Sequence, residues 1–78
     1  MMNMMNIDWI EVEGSDRITA MAYVADEQMI CVRFTDSIEW CYEGCTAEEF
    51  EAFADASQSK GVYIHKVLNK KTHRKLIY

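Results

Sequence analysis

Proline is absent from the 78 residues, and glycine is confined to three positions. With no proline- or glycine-rich stretch there is no low-complexity linker and no seam at which the chain would divide. It therefore reads as a single domain over residues 7–78, preceded by a disordered leader, residues 1–6 (MMNMMN), that offers no periodicity. No apolar run approaches the roughly 20 residues that a bilayer span requires. The methionines and asparagines at the start form neither the basic segment nor the apolar core of a signal peptide. A membrane role is thereby excluded and the cytoplasm is the expected compartment. Cysteine is scarce and odd in number: Cys31, Cys41 and Cys45 cannot form a disulfide framework, and their C-x9-C-x3-C spacing lacks the paired C-x2-C knuckles of structural zinc sites, even with His65 or His73 added. They read as small apolar residues, with no metal and no cofactor implied. Neither histidine stands in a recognisable nucleophile motif and no phosphate loop is present, so no catalytic residue can be named and the chain reads as a non-enzyme. A chain this short buries only about 60% of its unfolded surface, which leaves no room for a large enclosed active site.

Charge of each sign is missing from one part of the chain. After Ser59 there is no acid, whereas Lys60, Lys66, Lys70, Lys71, Arg74 and Lys75 give +6; before Lys60 only Arg17 and Arg33 stand against 13 acids, giving −11. The net −5 thus hides a basic C-terminal segment that suits either an anionic partner or the acidic part of the same fold.

What the chain has in plenty is alternation. Over residues 28–42 two apolar–polar runs meet at Thr35-Asp36-Ser37. A two-residue turn would put Glu39 on the face of Ile30, Val32 and Phe34. A three-residue turn instead pairs Phe34 with Ile38, Val32 with Trp40 and Ile30 with Tyr42, gathering six apolar side chains on one face. The other face then sets Arg33 opposite Glu39, a favourable pair, and Cys31 opposite Cys41. This register places Ser37 in the left-handed region, at a strain of about 1 kcal/mol. Upstream, residues 7–13 form a short strand with Trp9 under an edge. Residues 18–24 form a further strand, with Ile18, Ala20, Ala22 and Val24 on one face and Thr19, Met21 and Tyr23 on the other.

Thr46 and Glu49 form a capping-box pattern that starts a helix, with Cys45 and Phe50 as its hydrophobic staple. Ala47, Phe50, Phe53 and Ala54 make its inward stripe while its acids face water. A second helix runs from Ser59 or Lys60 to Asn69, with Tyr63, Ile64, Val67 and Leu68 inward and His65, Lys66, Asn69 and Lys70 outward. The last residues, 72–78, either add a strand or dock on the sheet. The fold class is α+β: an antiparallel three- to four-stranded meander with two C-terminal helices packed on one face.

The run Gly14-Ser15, Ile18, Tyr23, then Ile30-x-Val32-x-Phe34-x-x-Ser37-x-x-Trp40-x-Tyr42, then Ser59-Lys60-Gly61-x-Tyr63 resembles the KTSC domain. That family is named for the C-terminus of some lysyl-tRNA synthetases and also occurs as small bacterial and phage proteins. Trp40-Cys41-Tyr42 stands where the family carries Y-x-Y, Ser37 where a glycine is usual, Cys45-Thr46 where V-P is usual, and Ser57 where an alanine is usual. The resemblance implies a small α+β binding domain and, through the synthetase association, points toward RNA.

Two partner classes follow. RNA would use the basic segment, with Lys60, Lys66, Lys70, Lys71, Arg74 and Lys75 as the candidate contacts. Alternatively the acids Asp26, Glu27, Asp36, Glu39, Glu43, Glu48, Glu49, Glu51 and Asp55 form a negative front for a basic protein partner, as an interaction or inhibitor protein would. The aromatic motif of Trp40, Tyr42 and Tyr63 reads first as core beneath Phe50 and Phe53, and only second as a base-stacking platform.

Overall fold

The computed structural model describes residues 7–77, so both the proposed leader and Tyr78 lie outside the described residues. Five antiparallel strands, β1 (Ile10–Glu11), β2 (Ile18–Val24), β3 (Met29–Phe34), β4 (Glu39–Tyr42) and β5 (His73–Lys75), form one sheet in the order β1-β2-β3-β4-β5. Helices α1 (Ala47–Ala54) and α2 (Lys60–Lys66) lie between β4 and β5 in the chain. The α+β class holds, with more strands than the alternation revealed. The expected strand over residues 7–13 shrinks to the two residues of β1, and β5 is added at the far edge. Among the described residues no helix is long and apolar enough to cross a membrane.

The β3–β4 hairpin has the three-residue turn. Arg33 lies opposite Glu39, Val32 opposite Trp40, Cys31 opposite Cys41 and Ile30 opposite Tyr42. The Phe34 N–H donates to the Ile38 carbonyl at 2.9 Å, and Ser37 has φ 73°, the left-handed conformation the register demands. Asp36 completes the turn by accepting the Ile38 N–H at 3.0 Å.

In β2 the simple alternation fails at one point. Ile18 pairs with Phe34 but Ala20 pairs with Arg33, so β2 carries an extra residue at Thr19, a β-bulge. Ile18 is thereby moved to the face of Met21 and away from Ala20 and Ala22, contrary to the regular two-residue pattern. Thr19 Oγ1 donates to the Arg33 carbonyl at 3.4 Å across this irregularity.

Each face of the sheet is covered. On one, Ile18, Met21, Ile30, Val32 and Tyr42 are buried with Cys45, Phe53, Tyr63, Ile64 and Leu68 beneath the two helices. On the other, Ala22, Met29, Cys31 and Cys41 are buried under Ile7, Trp9, Val24 and Leu76. Arg33 belongs to this second face, its guanidinium 4.6 Å from the centre of the Trp9 ring and 2.6 Å from the Glu39 carboxylate.

Thr46 caps α1 through a complete capping box: its hydroxyl accepts the Glu49 N–H at 3.1 Å and Glu49 accepts the Thr46 N–H at 2.8 Å. Phe53 is buried and Phe50 half-buried as the stripe requires, but Ala47 is exposed, because it occupies the first turn, where the helix has not yet reached the sheet. Tyr23 anchors that end, stacking on Phe50 at 5.4 Å and donating its hydroxyl to the Cys45 carbonyl at 2.8 Å. The second helix is capped by Ser59, whose side chain accepts from Val62, but it ends at Lys66 and not at Asn69. A separate 3-10 turn, Leu68–Lys70, follows. The inward positions survive this break, since Tyr63, Ile64 and Leu68 are buried.

Candidate nucleic-acid interface

The six basic residues of the C-terminal segment have different fates. Lys60 is drawn back over its own helix start: Nζ donates to the Asp55 and Gln58 carbonyls at 3.0 and 3.3 Å and lies 5.7 Å from the Phe53 ring centre. Lys71 is a clamp, donating to the Gly44 carbonyl at 2.9 Å and to the Glu49 carboxylate at 3.0 and 3.2 Å. The Glu49 carboxyl is held below its usual range, first by the backbone N–H of Thr46 and then by Lys71, while Glu49 pushes the Lys71 ammonium up. Arg74, opposite Cys41, falls on the second face of the sheet, with Nη2 3.9 Å from Met29 Sδ. On that face the hydrogen bond between Cys31 and Cys41, and then burial, push the Cys31 thiol up, and that same bond, aided by the charge of Arg74, holds Cys41 lower.

Lys66, Lys70 and Lys75 remain exposed, and among the described residues none has an ion-pair partner. Lys66 ends α2 and Lys70 sits in the following 3-10 turn, so the two do not continue one helical stripe as a longer helix would have made them do. Lys75 is opposite Trp40 and shares its face.

Two open grooves are lined in part by exposed cations. The first, about 380 Å³, is lined by Phe34, Ile38 and Trp40 together with Asp36, Lys75 and Arg17. The second, about 450 Å³, is lined by Ser15, Asp16, Gly61, His65 and Lys66, again with Arg17. Arg17 is thus the wall common to both. Sequence reading left it aside as one of two basic residues in an acidic region. The only local signal was its place directly before the β2 run. Its position is set by three segments. Ser15 Oγ accepts the N–H groups of Arg17 and Ile18 at 3.1 and 3.3 Å, and the Arg17 carbonyl accepts from Thr35 at 3.3 Å. A Cβ on Gly61 would come 3.8 Å from Arg17 Cγ, ordinary contact, so Gly61 and the Arg17 stem lie side by side. Two of the segments that carry the resemblance, Gly14-Ser15 and Ser59-Lys60-Gly61, therefore meet at Arg17.

The aromatic motif divides in the same way. Tyr42 and Tyr63 are buried, and Tyr63 donates its hydroxyl to the Glu49 carbonyl at 3.0 Å. Trp40 is only half-buried, as is Phe34, and Ile38 is 36% exposed where the hairpin pattern placed it in the apolar layer. His73 packs against both rings of the motif, 5.4 Å from Trp40 and 5.3 Å from Tyr42, with Nδ1 2.8 Å from the Lys71 carbonyl.

No family model matches the chain, and no curated protein matches its sequence. A solved structure does: the crystal structure of a KTSC domain protein from Yersinia pestis superposes with a TM-score of 0.82 at 26% identity, over 92% of this chain and 100% of that one. The chain is a KTSC-like domain. Trp40-Cys41-Tyr42 on β4 then stands in the place of the family's Y-x-Y, with Trp40 and Tyr42 on the face beneath the helices and Cys41 on the other. Ser37, in place of the usual glycine, adopts the conformation a glycine would favour. In this KTSC-like domain Thr46 opens α1 with a side-chain cap where a proline is usual.

Proposed function

We propose that this KTSC-like domain is a small non-enzymatic binding module for RNA, contacting the phosphate backbone through Arg17, Lys66 and Lys75. The observation that carries the reading is that Arg17 lines two grooves, one shared with Lys75 and the other with Lys66. A polyanion occupying both grooves would meet all three cations, although the rest of the chain is acidic. Lys70, exposed nearby, adds to the field without lining either groove. Lys60 and Lys71 are left out of the contact set because their ammonium groups already bind carbonyls and a carboxylate.

Fluorescence anisotropy of a labelled single-stranded RNA of ten nucleotides, over a salt series, tests this. Three phosphate contacts predict a log–log salt slope of about −2, each contact contributing about −0.7. Charge reversal at Arg17, Lys66 or Lys75 should weaken binding across all sequences. Unchanged affinity in the triple reversal would refute the assignment.

A second reading rests on the exposed acids Asp26 and Glu27 in the β2–β3 turn and Glu48 and Glu51 on α1. These suit a basic protein partner. Affinity capture from the native host that returns a basic protein, lost when Glu48 and Glu51 become Lys, would favour it over RNA.

A further inference from the structure

The groove at the hairpin end has a chemistry that a phosphate track alone does not use. Its lining joins the apolar and aromatic side chains Phe34, Ile38 and Trp40 to the two cations Arg17 and Lys75. Asp36 also lines it, and one Asp36 oxygen is occupied by the Ile38 N–H. That carboxylate repels phosphate, so a polyanion would rest its phosphates on the two cations and turn something neutral toward the rings. That something must be flat enough to lie on Phe34 and Trp40 and able to donate a hydrogen bond to a carboxylate.

We infer that this groove seats one unstacked nucleobase, with the flanking phosphates on Arg17 and Lys75. This inference rests on the RNA reading above and deepens it by naming the subsite. The volume of about 380 Å³ falls at the small end of ligand pockets, which suits a single nucleotide and not a folded element. The Trp40 ring is held in advance by the edge of His73, at 5.4 Å and 63° between planes, so stacking on it requires little reordering. Val32, fully buried, is the β3 partner of Trp40 and lies beside it on the same face. Every nucleobase has a π-face, so this seat does not by itself select sequence.

Trp40 can report on its own occupancy. Trp9 packs on Arg33 on the second face of the sheet, so Trp9→Phe leaves Trp40 as the single tryptophan without touching the groove. Decaadenylate and a ten-residue polyphosphate would be titrated into this variant at low salt. The expected result is quenching of Trp40 by decaadenylate and not by polyphosphate, with about tenfold tighter binding of decaadenylate, the scale of one stacked base. Phe34→Leu, which keeps apolar volume but removes a π-face, should narrow that difference. Equal affinity for both polyanions, or decaadenylate binding that leaves Trp40 emission unchanged, overturns the base seat while the backbone reading stands. Failure of both polyanions to bind overturns the two together.

Discussion

Replacing Lys71 by methionine tests the division of the basic segment into cations used by the fold and cations free for a ligand. The substitution keeps the aliphatic stem and removes the ammonium, and with it one hydrogen bond to the Gly44 carbonyl and an ion pair with Glu49. The side chains of Lys71 and Glu49 are 24% and 31% exposed, so the interaction lies between a surface ion pair and a buried one. A surface pair contributes about 0.2–1 kcal/mol and a hydrogen bond from a charged donor about 1.5–3 kcal/mol when well desolvated. Partial exposure reduces the second figure, and a loss of about 1.5–2 kcal/mol is the reasonable sum. For a domain of this size each kcal/mol shifts Tm by about 4–8 °C, so Lys71→Met should melt about 6–16 °C lower. Lys66→Met and Lys75→Met, which remove no such bonds, should stay within about 0.5 kcal/mol of the parent. Differential scanning calorimetry on the three variants decides it. A Lys71→Met protein that melts with the parent, or a Lys66→Met protein that falls as far, would show that the cations are wrongly sorted.

Three further outcomes follow from the geometry. Ser37→Gly removes a left-handed strain of about 1–2 kcal/mol but adds unfolded-chain entropy of about 0.5–1 kcal/mol, so a net gain near 0.5 kcal/mol is expected in chemical denaturation; a loss would contradict the turn. Glu49 has a depressed pKa in the folded protein, so its contribution is present above the ordinary carboxylate range and is lost as pH falls through its folded value. Glu49→Gln should therefore flatten part of the acid decline in Tm, and an unaltered pH profile would count against the clamp. Glutathione disulfide present during refolding, before the three buried thiols are closed off, should link Cys31 to Cys41 and leave Cys45 a thiol. The Phe34 to Ile38 bond makes Cys31–Cys41 a non-hydrogen-bonded pair, the kind with Cα atoms about 4.5 Å apart. Peptide mapping that finds Cys45 in the disulfide would refute that register.

The hairpin was legible in the sequence because both of its faces carried information. Only one register satisfied the apolar residues and the Arg33–Glu39 pair together, and it required the unusual backbone at Ser37. The start of α1 was legible for a similar reason, the capping box being a local and reciprocal bond pattern. Strand β5 was legible only as one of two alternatives for residues 72–78, since His73-Arg74-Lys75 are all exposed and their pairing with Tyr42, Cys41 and Trp40 is contributed by residues far away in the chain. The bulge at Thr19 was hidden because a strand pattern reports periodicity and not its interruption by one extra residue. In the site, nothing in the sequence distinguishes Lys71 from Lys70: the distinction is made by Gly44 and Glu49, which only folding brings near. Arg17 was missed because its grooves are assembled from the β1–β2 loop, the hairpin end, α2 and β5.

Strand β5, last in the chain, pairs with the rest of the sheet along a single edge. Local opening in proteins begins at such thinly supported elements. Lys75, which lines the hairpin-end groove, is therefore carried by a short edge strand of three residues. RNA bound there would raise the free energy needed to detach β5, and hydrogen exchange at the Leu76 amide, which donates to the Glu39 carbonyl at 2.8 Å, should slow in proportion to occupancy. The site and this edge of the sheet would then share one equilibrium, with the ligand holding in place the strand that presents it.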